Sequence, residues 1–258
     1  MAEARVRAEL FEGKTLLRLV LDAPPGNILT GALMEELAGA LASHAQDPAL
    51  HMVVLQGAGG NFSFGASVEE HRKAAAPGML RSFSRLVRAV GAYPVPVAAL
   101  VEGRCLGGAF ELVLACHLAF TTPDAVLGCP EIKLGVFPPV LAALGPWRLG
   151  GALSDRLVLT GELLSAEGAR ACGLSSATFE GPDPFARFCE WYRKGPARLS
   201  AASLRIAAQA VRAGTAQLFG ARLDELEQLY LERVLPSHDG NEGIEAFIAR
   251  RPPVWENR

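Results

Sequence analysis

The sequence predicts an α/β protein with largely parallel strand pairing, on three observations. Short apolar runs such as ALHMVVLQ (49–56) and VPVAALVEG (95–103) have the continuous hydrophobicity of strands buried on both faces. Between them lie segments whose apolar residues recur at helical spacing. Half of the 258 residues are apolar and a fifth are charged, which suits one large soluble domain with a smaller appendage.

Residues 5 to 21, RVRAELFEGKTLLRLVL, alternate apolar and polar side chains about Glu12-Gly13, the pattern of a hairpin. APPGNIL (23–29) reads as a loop, and LTGALMEELAGALASHAQD carries helical spacing after it. The strand at 49–56 ends in the glycine-rich stretch GAGGNFSFGAS, followed by a polar helix around Val68 to Lys73 and another over 78–91. The strand at 95–103 runs into CLGGAFELVLACHLAF (105–120). HLAFTTPDAVLGCPEIKLG then gives two short extended pieces about a turn at Pro123-Asp124.

Near residue 182 the chain changes character. GPDPFARFCEWYRKGPARLS is rich in Pro, Gly and charge, and only helices are visible beyond it. Leu204, Ala207, Ala208 and Val211 fall at i, i+3, i+4 and i+7, and Leu223, Leu226 and Tyr230 continue the stripe. We read an α/β body over 1–195 and a helical region over 196–258, too small for a core of its own.

The net charge of −2 leaves no electrostatic footprint for nucleic acid, and no Lys/Arg block suggests an anionic membrane surface. No apolar run reaches the ~18 residues of a membrane span, and the N-terminus lacks the apolar core of a signal peptide. Five cysteines, odd in number and without CxxC spacing, read as small buried residues in a reducing compartment. A cytoplasmic protein is expected. The five histidines are scattered without ligand spacing, so no metal site is expected. His71 reads more readily as a helix-surface residue than as a substrate contact, and Arg250 and Arg251 as solvating the tail rather than meeting ligand phosphates of a neighbouring subunit.

Glu111 is the first candidate for chemistry. Phe110, Leu112, Val113, Leu114 and Ala115 surround it, and an ionised carboxylate in such a helix is costly unless paired. Gly107 and Gly108 open the helix, where unpaired N–H groups and the positive dipole end meet with no side chain to bar a ligand. Tight strand–helix packing explains Gly-Gly alone equally well. Glu111, however, lies one turn after Gly108 on about the same face. Glu131, in GCPEIKLG, reads as a second acid in a loop at a strand end. Two carboxylates aimed at one volume suit general acid–base work on a substrate whose developing charge backbone N–H groups stabilise. On spacing alone, Glu131 also fits a surface acid in a turn. Gly57-x-Gly59 begins like a dinucleotide fingerprint, but Phe62 stands where the third glycine belongs and no acid ends a following strand at the expected distance, which argues against that reading.

NFSFGASVEEH and VEGRCLGGAFELVLACHLAFTTPDAVLGCPEIKLGVFP resemble the two signature regions of the crotonase (enoyl-CoA hydratase/isomerase) superfamily. The likeness continues through DRLVLTGELLSAEGARACGL and NEGIEAFIARR, over most of the chain. It implies a crotonase-like spiral of ββα units and a C-terminal helical region that builds a homotrimer, or a hexamer of two trimers. It implies an acyl-CoA thioester as substrate, CoA being part of that substrate, with no separate cofactor and no metal. The backbone N–H groups holding the thioester oxygen fall on Ala66 and Gly108. The catalytic carboxylates fall on Glu111, which would orient and deprotonate water, and Glu131, which would exchange the proton on the substrate carbon. Asn27, Phe64, Ser67, Gly107, Phe137 and Pro138 fall on substrate- or CoA-contacting positions. Retention of both acids favours water addition or elimination over isomerisation. The same retention, with the acidic balance, argues against a non-catalytic RNA-binding or scaffolding relative.

The chain also departs from the family pattern. Ser67 replaces the usual Asp after the oxyanion alanine, and Cys129 replaces the Gln before Pro-Glu. FPPVLAALGPWRLGG replaces a glycine-rich loop, so Phe137, Pro138 and Pro139 make a bulkier and stiffer wall. LDAPPGNIL and LGVFPP resemble the loops of hydratases that take a conjugated cyclic dienoyl-CoA in anaerobic aromatic breakdown. An ordinary straight-chain 2-enoyl-CoA hydratase is the alternative.

Overall fold

The computed structural model describes residues 5–258, with 215–217 described as backbone only. The hairpin forms as expected, from β1 (Val6–Phe11) and β2 (Leu16–Leu21). Helix α1 (Gly31–His44) follows, its first turn capped by the Thr30 side chain, which accepts from the Leu33 N–H. Then come β3 (Met52–Gly57), α2 (Ala76–Gly91), β4 (Val97–Val101), β5 (Arg104–Leu106) and α3 (Gly108–Ala115). After β6 (Leu118–Thr121) and β7 (Val126–Gly128), a 3-10 turn at Pro130–Leu134 leads to α4 (Pro139–Arg148) and α5 (Gly151–Thr160). The remainder is β8 (Leu163–Ser165), α6 (Ala166–Ala171), β9 (Ser175–Thr178), α7 (Pro184–Lys194), α8 (Ala201–Leu229) and α9 (His238–Ile248).

The larger sheet has the order β1-β2-β3-β4-β6-β9, and every pairing after the hairpin is parallel. Its strands are apolar on both faces because both are covered. Leu17, Leu19, Val53, Leu55 and Ala99 join the core under α1, α2 and α3. Leu16, Val54, Ala98, Leu100 and Phe120 face the other way, against Phe188 and Tyr192 of α7. The smaller sheet, β5-β7-β8, pairs β5 with β7 in parallel and β7 with β8 antiparallel.

Two elements differ from the expectation. The helix expected around 68–73 shrinks to a 3-10 turn over Glu69–His71, because Arg72 turns to extended backbone (ψ 144°). The helix expected from 78 starts two residues earlier, with Pro77 in its first turn, where a missing N–H costs nothing. The C-terminal helices share the main core: Phe219, Leu223, Leu226 and Tyr230 pack into it alongside residues of α2 and α4. Leu199, Ile206, Val211 and Leu218 instead face outward, each more than half exposed. After α8 the chain makes a π-helical turn at Tyr230–Val234, which no 3.6-residue periodicity foreshadows. Among the described residues, no helix is long and apolar enough to cross a membrane.

Candidate active site

Three backbone segments reach the site through parallel register. Leu106 at the end of β5 lies opposite Gly128 at the end of β7, and Cys105 bridges to Ser63. The Gly107 N–H donates to the Gly128 carbonyl at 2.8 Å, and the Leu106 N–H to the Ser63 carbonyl at 3.0 Å. Gly65-Ala66, Gly107-Gly108 and Pro130-Glu131 therefore leave adjacent strand ends together, where ligands of α/β folds bind.

Glycine is required twice in this junction. Gly65 has φ +98°, and a Cβ there would lie 2.6 Å from the Leu106 carbonyl oxygen. Gly107 has φ +54°, and its Cβ would lie 2.7 Å from Glu131 Oε1. The next residue, Gly108, begins α3, and its missing Cβ would sit 3.4 Å from the Ala66 Cβ. Ala66 and Gly108 thus face each other. Neither N–H is engaged by another group among the described residues, so both donors are free for an oxyanion.

Glu111 is buried, 3% exposed, yet its carboxylate is well served. Its Oε1 accepts from the Val140 N–H at 2.7 Å and the Leu141 N–H at 2.9 Å. These are first-turn donors of α4, whose N-cap residue is Pro138 and makes no side-chain cap. Glu111 supplies the cap from another helix. Burial pushes its carboxyl above the ordinary range, the two N–H groups pull it back, and the charge of Glu227 pushes it up again. Glu131 sits less favourably: its Oε2 is buried with no hydrogen-bond partner among the described residues. Burial pushes its carboxyl up, the Glu111 charge adds to this, and the Cys129 thiol partly offsets it. Two carboxyls in environments of different quality are how one site keeps an acid and a base at the same pH.

These groups line one enclosed chamber, together with Ala66, Gly108, Phe137 and Pro138. The Phe137 ring packs on the Tyr230 ring with centroids 5.6 Å apart. A wider mouth opens beside it, lined by Phe64, Ser67, Gly107, Lys133, Phe247 and Arg250. Phe64 is 47% exposed, its ring lying against Gly26.

Three expectations need correction. Asn27 lines neither cavity: it is buried, donating to the carbonyls of Ala58, Asn61 and Phe62 and accepting from the Ala23 N–H. It braces the loop that carries the site, and its polarity is spent there. His71 lies against the chamber rather than on a solvated helix surface, with Nδ1 2.8 Å from the Ser67 carbonyl. Burial holds its imidazole below the ordinary value. Arg250 lines the mouth, whereas Arg251 is paired with Glu242. Sequence reading also missed Glu227 and Tyr230, which reach the chamber from the C-terminal helices. Tyr230 reads as the end of a packing stripe with Leu223 and Leu226, which does not name the element it packs against, and Glu227 lies outside that stripe.

The whole-chain pattern of the enoyl-CoA hydratase/isomerase family matches residues 12–258. The chain belongs to this family. It is 40% identical over 257 residues to the cyclohexa-1,5-dienecarbonyl-CoA hydratase of Thauera aromatica, covering 100% of this chain and 99% of that one. It is 31% identical over 249 residues to the 2,3-dehydroadipyl-CoA hydratase of Escherichia coli, covering 94% and 96% of the two chains. The crystal structure of an enoyl-CoA hydratase from Mycobacterium avium superposes with a TM-score of 0.85 at 28% identity, over 97% of this chain and 98% of that one. Among the described residues, no group of three His, Cys, Asp or Glu side chains is placed to hold a metal ion.

Proposed function

We propose that this hydratase-family enzyme is a hydro-lyase for a conjugated cyclic enoyl-CoA. It would turn cyclohexa-1,5-diene-1-carbonyl-CoA into 6-hydroxycyclohex-1-ene-1-carbonyl-CoA in anaerobic aromatic degradation. The carrying observation is the wall of the chamber: Phe137, packed on Tyr230 at 5.6 Å, beside Pro138 and Pro139. A flat ring gains contact area from a rigid aromatic wall, whereas a flexible chain pays conformational entropy to lie along it. The relationship to the Thauera aromatica hydratase supports the same substrate.

In this reading the N–H groups of Ala66 and Gly108 hold the thioester oxygen as charge develops on it. Glu111 takes a proton from water, and the oxygen of that water forms the bond to the β carbon. Glu131 then delivers its proton to the substrate carbon. The environments suit these roles: the bonds from Val140 and Leu141 favour ionised Glu111, while unpartnered Oε2 and the neighbouring charge favour protonated Glu131. The reaction needs no resident cofactor or metal, and the enzyme would work in the cytoplasm as a trimer or hexamer. The outward-facing Leu199, Ile206 and Val211 are the surface we assign to assembly. A monomeric mass by light scattering at micromolar concentration would contradict that assignment.

Steady-state rates on crotonyl-CoA and on cyclohexa-1,5-diene-1-carbonyl-CoA test the substrate. Preference for the diene is expected. A marked preference for crotonyl-CoA would instead favour a straight-chain 2-enoyl-CoA hydratase, the reading that the Escherichia coli relative supports. Gly108→Pro deletes one oxyanion donor and is expected to abolish turnover of either thioester.

A further inference from the structure

Glu227 belongs to two cavities at once. It lines the enclosed chamber with Glu111 and Glu131, and it lines a surface groove with Arg81, Arg85, Arg88 and Asp224. That groove shares no residue with the mouth lined by Phe64, Lys133 and Arg250. Among the described residues, Glu227 is the one side chain common to chamber and groove.

The reaction gives this placement a use. Once an acyl-CoA fills the mouth, the proton that Glu111 takes from water has no route back past the substrate. Glu131 is no outlet until it has given its own proton to carbon; from then on it competes with Glu227 for the proton on Glu111, and both line the same chamber. We propose that Glu227 relays that proton from Glu111 to the groove, through water, so that the base is reset while the thioester is still bound. The proton balance closes: one proton leaves water for Glu111, passes to Glu227, and is released to solvent, while Glu131 is reprotonated from solvent after turnover. This rests on the assignment of Glu111 as the base.

The surroundings of Glu227 fit a carboxylate that gains and loses a proton. Partial burial and the Asp224 charge work against its ionisation, while Ser84 and Arg88, which line the groove beside it, favour it. Burial is the largest of these influences and holds its carboxyl above the ordinary range. Arg88 is itself engaged by Asp224 at 2.6 Å and by the Ser84 hydroxyl at 3.2 Å, and among the described residues no salt bridge locks Glu227. Its charge is felt by Glu111, which places the two in electrostatic reach across the chamber.

Glu227→Gln keeps the shape and removes the proton site. The expected result is a fall in kcat of about tenfold, a fraction of what a general base supplies, with KM within about twofold of wild type. The decisive readout is buffer rescue: rising concentrations of a small proton acceptor such as imidazole restore kcat in the variant and leave wild type unchanged. Glu227→His, which keeps a titratable group, is expected to regain activity and lose the buffer dependence. Ser84→Ala is expected to give a weaker form of the same defect. A Glu227→Gln enzyme with wild-type kcat, or with a reduced kcat that no buffer raises, overturns the relay. Glu111→Gln separates this from the base assignment, because an active Glu111→Gln enzyme removes the base itself, whereas an inactive one leaves the Glu227 result to stand alone.

Discussion

Glu131 Oε1 lies 2.7 Å from the point that a Cβ on Gly107 would occupy, so the carboxylate uses space that only glycine leaves open. The two residues leave neighbouring strands, β5 and β7, whose register sets Leu106 opposite Gly128. Gly107→Ala is accordingly expected to push Glu131 out of the chamber and to strain a residue held at φ +54°. The kcat should fall by about 100-fold, the scale of losing a general acid, while circular dichroism stays near wild type. Undiminished turnover would show that the close approach is not needed.

Glu111 caps α4 and, in the proposed mechanism, acts as the base, and substitution can separate the two. Glu111→Gln keeps a carbonyl oxygen to accept from Val140 and Leu141, so folding stability should hold while kcat drops by at least about 100-fold. Glu111→Ala also strips the cap from α4 and leaves two buried N–H groups unmet, adding a stability loss of about 1–3 kcal/mol. Urea denaturation of the two variants side by side checks this.

Glu131 is expected to make the protein less stable as pH rises. Burial first, and the Glu111 charge second, raise its folded-state pKa above the unfolded value. The stability tied to such a group is fully present below the unfolded pKa and is lost as pH rises through the folded one. Wild type should therefore melt lower at pH 8 than at pH 5. Glu131→Gln has no charge to bury and should lose less over that range, ending about 2–4 °C above wild type at pH 8. Scanning calorimetry at the two pH values decides it, and a wild-type melting temperature that climbs toward pH 8 would contradict the assignment.

The position of the delivered proton distinguishes ring chemistry from simple hydration. Hydroxide added at the β carbon of a 1,5-dienoyl thioester leaves charge on both the α and γ carbons. Protonation at γ gives the 6-hydroxycyclohex-1-ene product, and in the proposed mechanism it requires Glu131 to meet the far side of a ring that the packed Phe137 and Tyr230 would hold in place. Turnover in deuterated water should place the label at γ by NMR. Phe137→Ala should loosen this control and raise the relative rate on crotonyl-CoA.

Much of the molecule was legible in one dimension. Apolar runs and helical spacing marked the hairpin, the parallel strands and the C-terminal helices, because burial on one or two faces imposes a local period. Glu111 stood out because a carboxylate inside an apolar helix demands a partner. The partner itself was not readable: Val140 and Leu141 donate backbone N–H groups, which every residue but proline carries. Asn27 was misplaced because an amide serves a loop or a ligand with the same atoms, and only the fold brings Ala58, Asn61 and Phe62 around it. Tyr230 and Glu227 show the same limit. The sequence determined that this segment carries an apolar stripe ending at Tyr230, and only tertiary packing decided that Tyr230 and Glu227 line the chamber of Glu111 and Glu131. Local periodicity records which side of a segment is buried, whereas the identity of what buries it depends on contacts between distant segments that no local pattern encodes.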